Sequence, residues 1–329
     1  MHYKTILEKA QKKLDNNDYL SLKQPGSLQI NQSKCIIVDQ FTHFGKANPE
    51  YNLLLNDIQQ LKNIRCHHIL CTFLLGIYVY NHCNTIRSNV KKVIQKYNQH
   101  SFHKDFSFIW FLVCLFHDLG YAEEEKKRNR ISLNKYLGNI TNVPELYKTV
   151  YENYLVYRKL EHNKIDHGIF AGLTMYEDLC RIREKKHWNV HLDELYNLAS
   201  WIVLVHNIWF VKDTDIDNCK IYQKYHLEQL ILKTKTDNGQ IDIVDYPIKL
   251  SQYPLLFLFC LVDLIEPMKR IGCMDCCDKI DFRITEKQLV IKSNLDCISG
   301  QEYIENIASA NDWLAKTERN ENTVTISLA

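Results

Sequence analysis

Three apolar runs in this chain carry groups that ionise. FLVCLFHDLGY holds His117 and Asp118 at its end, WIVLVHN holds His206, and LFLFCLVDLIEP holds Asp263. An ionised carboxylate in an apolar run is costly to bury unless something compensates it. This constrains the fold more than any other feature, because burying the runs also buries their polar ends. Two further segments have the same character: RCHHIL places His67 and His68 in a long helical stretch, and KIDHGIFAG contains His167. Four imidazoles and two carboxylates, carried by five different apolar segments, can converge in the middle of a bundle. Bundle cores are where facing helices build dinuclear sites from inward-pointing side chains. Asp118 could then bridge two ions about 3.5–4 Å apart. The charge of the ions would make ionised Asp118 and Asp263 tolerable in apolar surroundings.

Helix is the expected material. The chain of 329 residues has only 10 Gly and 6 Pro, where average usage would give roughly 23 and 16. Helices are expected over 3–14, 51–80, 84–98, 106–119 with Gly120 as C-cap, two or three within 130–183, then 192–211, 221–232 and 253–266. A short strand is expected at Cys35–Val38. From about 278 the pattern changes. FRITEKQLVIKS alternates like a hairpin, 301–315 is helical, and TVTISL reads as a terminal strand. The predicted organisation is an N-terminal extension over 1–50, a helical core over 51–278 with insertions at 121–165 and 212–250, and a small α+β element over 279–329. The hairpin edge of that element leaves two placements open, against the bundle or in a homo-oligomer.

Formal charge is only +2, so no global basic field draws the chain to nucleic acid or to membranes. The longest apolar runs, 69–80, 106–116 and 255–262, fall short of the roughly 18 residues a membrane span needs. No signal-like h-region opens the chain, and a cytoplasmic location is the expectation. Twelve cysteines are scattered, several inside apolar runs (Cys71, Cys114, Cys260), and read as small buried hydrophobes in a reducing compartment. The CMDCC segment (Cys273, Cys276, Cys277) has one C-x-x-C spacing without a second pair and reads as a turn after a helix. DTDID (213–217) lacks the glycine and closing glutamate of a calcium loop. No phosphate-binding glycine loop or nucleophile-elbow motif is present.

The order H…HD…H…H…D resembles the HD superfamily of metal-dependent phosphohydrolases over roughly residues 60–270. The resemblance implies an HD-type helical bundle. It implies His68 as the opening ligand with Arg65 three residues before it, His117 and Asp118 as the signature pair, His167 and His206 as the histidines of the two-metal branch, and Asp263 as the closing aspartate. The helical seam Leu61, Ile64, His68, Leu75 favours His68 over His67 as the inward residue. DLIEPMKR is similar to a stretch of HD-type diadenosine tetraphosphate hydrolases, which implicates Glu266, Pro267 and Arg270. The pair is followed by LGY, and not by the lysine common in the related diiron oxygenases.

The implied activity is hydrolysis of a phosphoester or phosphoanhydride of a nucleotide-like small molecule by a hydroxide shared between two divalent ions. The candidate ions are Mn, Fe or Mg, with Zn, Ni or Co as further options. Arg270 and Lys164 are the candidates to stabilise charge on the phosphate, with Arg65 and Lys269 as further substrate contacts and Arg158 as a weaker one. Each of these cations taken singly is more often a solvated surface group. His162 reads as a neighbour of the site or as surface. A diiron oxygenase, a non-catalytic nucleotide-binding module and an HD-type nuclease are the alternatives. The near-neutral charge weighs against the nuclease.

Overall fold

The computed structural model describes residues 1–16, 63–97, 106–121, 145–162, 166–185, 187, 192–207, 224–226 and 248–328. These are mostly helical, with one small antiparallel sheet near the C-terminal end. Helix α1 spans Tyr3–Asn16, α2 Asn63–His82, α3 Asn84–Tyr97, α4 Phe106–Phe116, α5 Glu145–His162, α6 His167–Lys185, α7 Leu192–Val205 and α8 Pro254–Ile265. Two single-turn helices follow, α9 at Met268–Ile271 and α10 at Met274–Cys277. Then come β1 (Ile280–Ile284), β2 (Gln288–Ser293), α11 (Ile298–Ala308), a 3-10 turn at Ser309–Asp312, β3 (Thr317–Asn320) and β4 (Thr323–Ser327).

Helix α2 is the axis of the helical part. From Ile69 to Val79 it is buried on every side, as expected for a helix apolar all round. It packs against α1, α4, α8 and α9. Gly76 leaves the space into which the Trp110 ring of α4 fits, and the Trp110 indole N–H donates to the Phe73 carbonyl at 2.9 Å. Helix α1 buries Tyr3, Ile6, Leu7 and Ala10 against this core, following the spacing of an amphipathic stripe. Helices α6 and α7 form the tightest pair. Gly172 faces α7 so closely that a Cβ there would stand 2.6 Å from the Leu204 Cβ and 2.7 Å from the Ser200 carbonyl.

The sheet order is β1-β2-β4-β3, antiparallel throughout. Its inner face buries Ile280, Phe282, Leu289, Ile291, Val324 and Ile326, covered by Tyr303, Ile304 and Ile307 of α11. The Tyr303 hydroxyl donates to the Ile265 carbonyl at 2.5 Å. The element therefore packs on the bundle. Residues 1–2 also join β1, with the Phe282 N–H donating to the Met1 carbonyl at 2.9 Å.

Several expected boundaries move. Helix α4 stops at Phe116, not at 119, because Leu119 and Tyr121 donate back three residues to Phe116 and Asp118 and tighten the chain into a turn. Gly120 is held against the backbone of His167, where a Cβ would collide, so close approach and not helix capping requires glycine there. His226 adopts a left-handed backbone, φ 54°, which interrupts the helix expected over 221–232. CMDCC forms the helical turn α10. Strand β3 reads TERN, exposed along most of its length, and gives no alternation to find. The expected strand at 35–38, the first turns of the helix expected from 51, and most of the two insertions lie outside the described residues. No single helix among the described residues is long and apolar enough to cross a membrane, and α2 and α3 bend by 103° at their junction. Cys71, Cys114 and Cys260 are buried free thiols, as expected.

Candidate metal centre

The sequence builds the site from helix ends. His117 and Asp118 occupy the turn that closes α4, His167 opens α6, and His206 closes α7, while His68 and Asp263 lie within α2 and α8. Each apolar helix is held by its buried sides, so its polar end projects to the common centre. His68, His117, Asp118, His167 and His206 are 8% exposed or less, and the Asp263 side chain is 15% exposed. His67, beside His68, is only half-buried.

The donor atoms converge. His68 Nε2 is 2.9 Å from Asp263 Oδ1 and 3.2 Å from His117 Nε2, and His117 Nε2 is 3.7 Å from Asp263 Oδ1. Ligands held about 2.0–2.2 Å from one ion lie about 3.0–3.5 Å apart, so these three fit a single cation. Among the described residues they form a compact group of metal-type donors. Asp118 stands on the other side of His117, with Oδ1 3.2 Å from His117 Nε2 and 3.7 Å from His167 Nε2. The His206 ring lies 5.3 Å from that of His167 and 5.6 Å from that of His117, centroid to centroid. Phe259 presses on both His117 and His206 and makes an apolar wall.

Two details fix the chemistry of this cluster. First, His117 Nδ1 lies 2.6 Å from the Cys114 carbonyl and His206 Nδ1 lies 2.5 Å from the Val203 carbonyl. A carbonyl only accepts, so both rings carry their proton on Nδ1 and turn an Nε2 lone pair inwards. Second, neither Asp118 oxygen nor His206 Nε2 has a hydrogen-bond partner among the described residues. Buried polar atoms are rarely left so. Lone pairs facing one another in this way could hold a cation.

The electrostatics agree. Burial drives His117 down to about 4, although Asp118 and Asp263 pull the other way. Burial likewise lowers His167 and His206. These rings are therefore neutral and able to ligate near neutral pH. Burial opposes ionisation of Asp118, but the neighbouring His117, Lys269 and His68 hold its carboxyl well below the usual range. Asp263 behaves the same way, with Lys269 and His68 overcoming burial. His68 differs. Burial disfavours its charge, but hydrogen bonds to Asp263 and Glu266 outweigh that and raise it to about 9.

The candidate cations separate clearly. Lys269 reaches in, with Nζ 3.1 and 3.2 Å from the two Asp263 oxygens. Arg65 Nη1 is 3.5 Å from Asp118 Oδ2, and its guanidinium lies over the Tyr121 ring at 3.2 Å. Tyr121 in turn stacks on His167 at 3.7 Å. Arg270, one residue after Lys269, is exposed: a helical step of about 100° separates the two side chains, so Lys269, and not the expected Arg270, faces the cluster. Arg158 stands behind the site, its Nε 3.8 Å from the buried Asp166. Lys164 and the side chain of His162 lie outside the described residues.

Sequence reasoning missed Tyr121 and Asn207, whose amide reaches the ring nitrogens of His167 at 2.7 and 3.0 Å, and the resemblance implicated Glu266 without naming its partners. Each follows a candidate ligand by one to three residues, and that adjacency was the available signal. Fold and site together define a mostly helical protein with a buried histidine–carboxylate donor cluster between its helices. The chain has no significant match to a protein-family model, a curated protein or a solved structure.

Proposed function

We propose that this protein is a metal-dependent phosphohydrolase of the HD type, acting on a phosphoester or phosphoanhydride of a small, nucleotide-like substrate. The observation that carries this reading is the cluster of inward Nε2 and carboxylate lone pairs around Asp118, whose oxygens have no hydrogen-bond partner among the described residues. The order of the ligands along the chain supports it. His68, His117 and Asp263 would hold one divalent ion, and His167 and His206 a second, with Asp118 between them. Bound there, the ions would lower the pKa of a coordinated water and supply a hydroxide nucleophile near neutral pH.

The protein's own groups account for the remainder. Asp118 and Asp263 stay ionised and serve as negative charge, not as proton donors. Lys269 and Arg65 lie at the part-exposed rim, each side chain 22% exposed. From there they can meet the non-bridging oxygens of an anionic substrate and stabilise charge that grows in the transition state. Tyr121 holds the Arg65 guanidinium flat and restricts its motion.

The test is the metal content of purified protein together with phosphate or nucleotide release from a nucleotide panel in manganese, for wild type and Asp118→Ala. About two ions per chain, with release abolished by Asp118→Ala, is the expected result. Two irons and no release from any phosphate ester would move the reading to a diiron oxygenase. Tight nucleotide binding with no product over hours would make it a binding module.

A further inference from the structure

His68 differs from the other three histidines in what holds its outer nitrogen. His117 and His206 lean on backbone carbonyls, whereas His68 Nδ1 faces a carboxylate, Glu266 Oε2, at 2.6 Å. Glu266 is fully buried and accepts from four directions. The Tyr3 hydroxyl donates to Oε1 at 2.5 Å, and the Met268 N–H donates to the same oxygen at 2.8 Å. The Lys269 N–H donates to Oε2 at 3.1 Å, beside His68. A carboxylate has about four lone-pair sites and no proton of its own to offer, so the four donors match its capacity. Tyr3 is itself fully buried and comes from α1, at a sequence separation of 263 residues.

We propose that Glu266 and Tyr3 are positioning residues for His68, so that helix α1 helps set the affinity of the ion position formed by His68, His117 and Asp263. This rests on the metal-centre reading above. Glu266 keeps a proton on Nδ1, which leaves Nε2 as the donor to the ion. It also makes the ring more basic, as carboxylate partners of metal-binding histidines do. Tyr3 fills the other oxygen and fixes the carboxylate rotamer, leaving Oε2 directed at His68. Glu266 meets His68, so the effect falls on the ion position that His68 helps to form.

Glu266→Gln tests this directly. An amide places an NH2 among four donors. If it occupies the Oε2 position it faces His68 Nδ1 and drives the ring to the tautomer protonated on Nε2, which cannot ligate. Cobalt(II) is the probe, titrated into the full chain in competition with a chelator and followed by its visible absorption. Wild type is expected to take up two cobalt ions. Glu266→Gln should weaken one of them by about ten- to a hundredfold and alter its absorption bands, leaving the second unchanged. Tyr3→Phe, which keeps the buried ring, should shift the same bands with a smaller loss of affinity. It is also the safeguard should Glu266→Gln not fold. A purely structural role would lower melting temperatures in chelator while leaving cobalt affinity and spectrum of the folded variants as in wild type, and that result overturns the proposal. If wild type binds no cobalt, the metal-centre reading fails first and this inference with it. If wild type binds two and Tyr3→Phe is indistinguishable from it, only the inference fails for Tyr3.

Discussion

Lys269 has two incompatible attractions. Its ammonium neutralises Asp263 through both oxygens, and burial of its charge is outweighed by Asp263 and Asp118, which raise it above the ordinary lysine value. An ion on Asp263 would repel it, since like charges a few ångströms apart interact strongly away from bulk water. Lys269→Met should therefore bind manganese more tightly, by about tenfold, while turnover of a phosphate ester falls through a higher KM. Tighter metal binding without loss of substrate affinity would remove Lys269 from the substrate side. Much of this site was legible in the sequence. A single histidine or aspartate in a run such as FLVCLFHD is more often a satisfied core residue, and it was the ordered set of six that pointed to a site; those six side chains do lie together. The choice between Lys269 and Arg270 was not legible, because it depends on the phase of a single helical turn after Pro267. Tyr121, and the partners of the already implicated Glu266, were hidden for a different reason: those contacts come from far away in sequence.

At the scale of elements, the α6–α7 contact would decide whether the proposed second ion position forms. His167 begins α6 and His206 follows α7, so their 5.3 Å ring separation depends on how closely the helices approach. Gly172 permits that approach. Gly172→Val would force its side chain against Ser200 and Leu204, and overpacking of this kind costs about 1–3 kcal/mol. The expected outcome is a lower melting temperature in chelator and one cobalt ion per chain instead of two, the retained ion being that of His68, His117 and Asp263. Two ions bound as in wild type would show that α6 and α7 do not set the His167–His206 geometry. Periodicity made α3 and α8 readable within a few residues, because each buries an uninterrupted apolar face, whereas α7, expected to 211, ends at Val205 and turns at His206 and Asn207. It failed at β3, where a charged edge strand carries no alternation, and at Gly120, where the reason for glycine is the neighbouring backbone of His167 and not the local conformation.

The whole molecule should reveal the centre through its stability as a function of pH, because the buried histidines are perturbed in opposite directions. His68 is raised to about 9 from its ordinary 6.5. Its stabilising contribution in the metal-free protein is complete below about pH 6.5 and is lost as pH rises towards 9, because over that interval the folded state holds a proton that the unfolded chain has released. His117 is lowered to about 4, and His167 and His206 are lowered too. Their unfolded forms take up protons below about pH 6.5 while the folded forms refuse them, so stability falls as pH drops from 6.5 towards 4. Each proton of difference is worth about 1.4 kcal/mol per pH unit. The melting temperature in chelator should therefore form a dome with its maximum near pH 6.5, steeper on the acid side, where three rings act, than on the alkaline side up to about pH 8, where His68 sets the slope before the buried thiols of Cys71, Cys114 and Cys260, which burial pushes up, begin to add to it. Saturating divalent ion changes the shape in a way only ligation explains. An ion on His68 Nε2 displaces the proton that the folded state would otherwise hold, so the alkaline slope should vanish, while the acid slope steepens because protons compete with the ion for every ring. A dome that keeps its alkaline slope in saturating manganese would mean that His68 retains its Nε2 proton, and that no ion rests between it and Asp263.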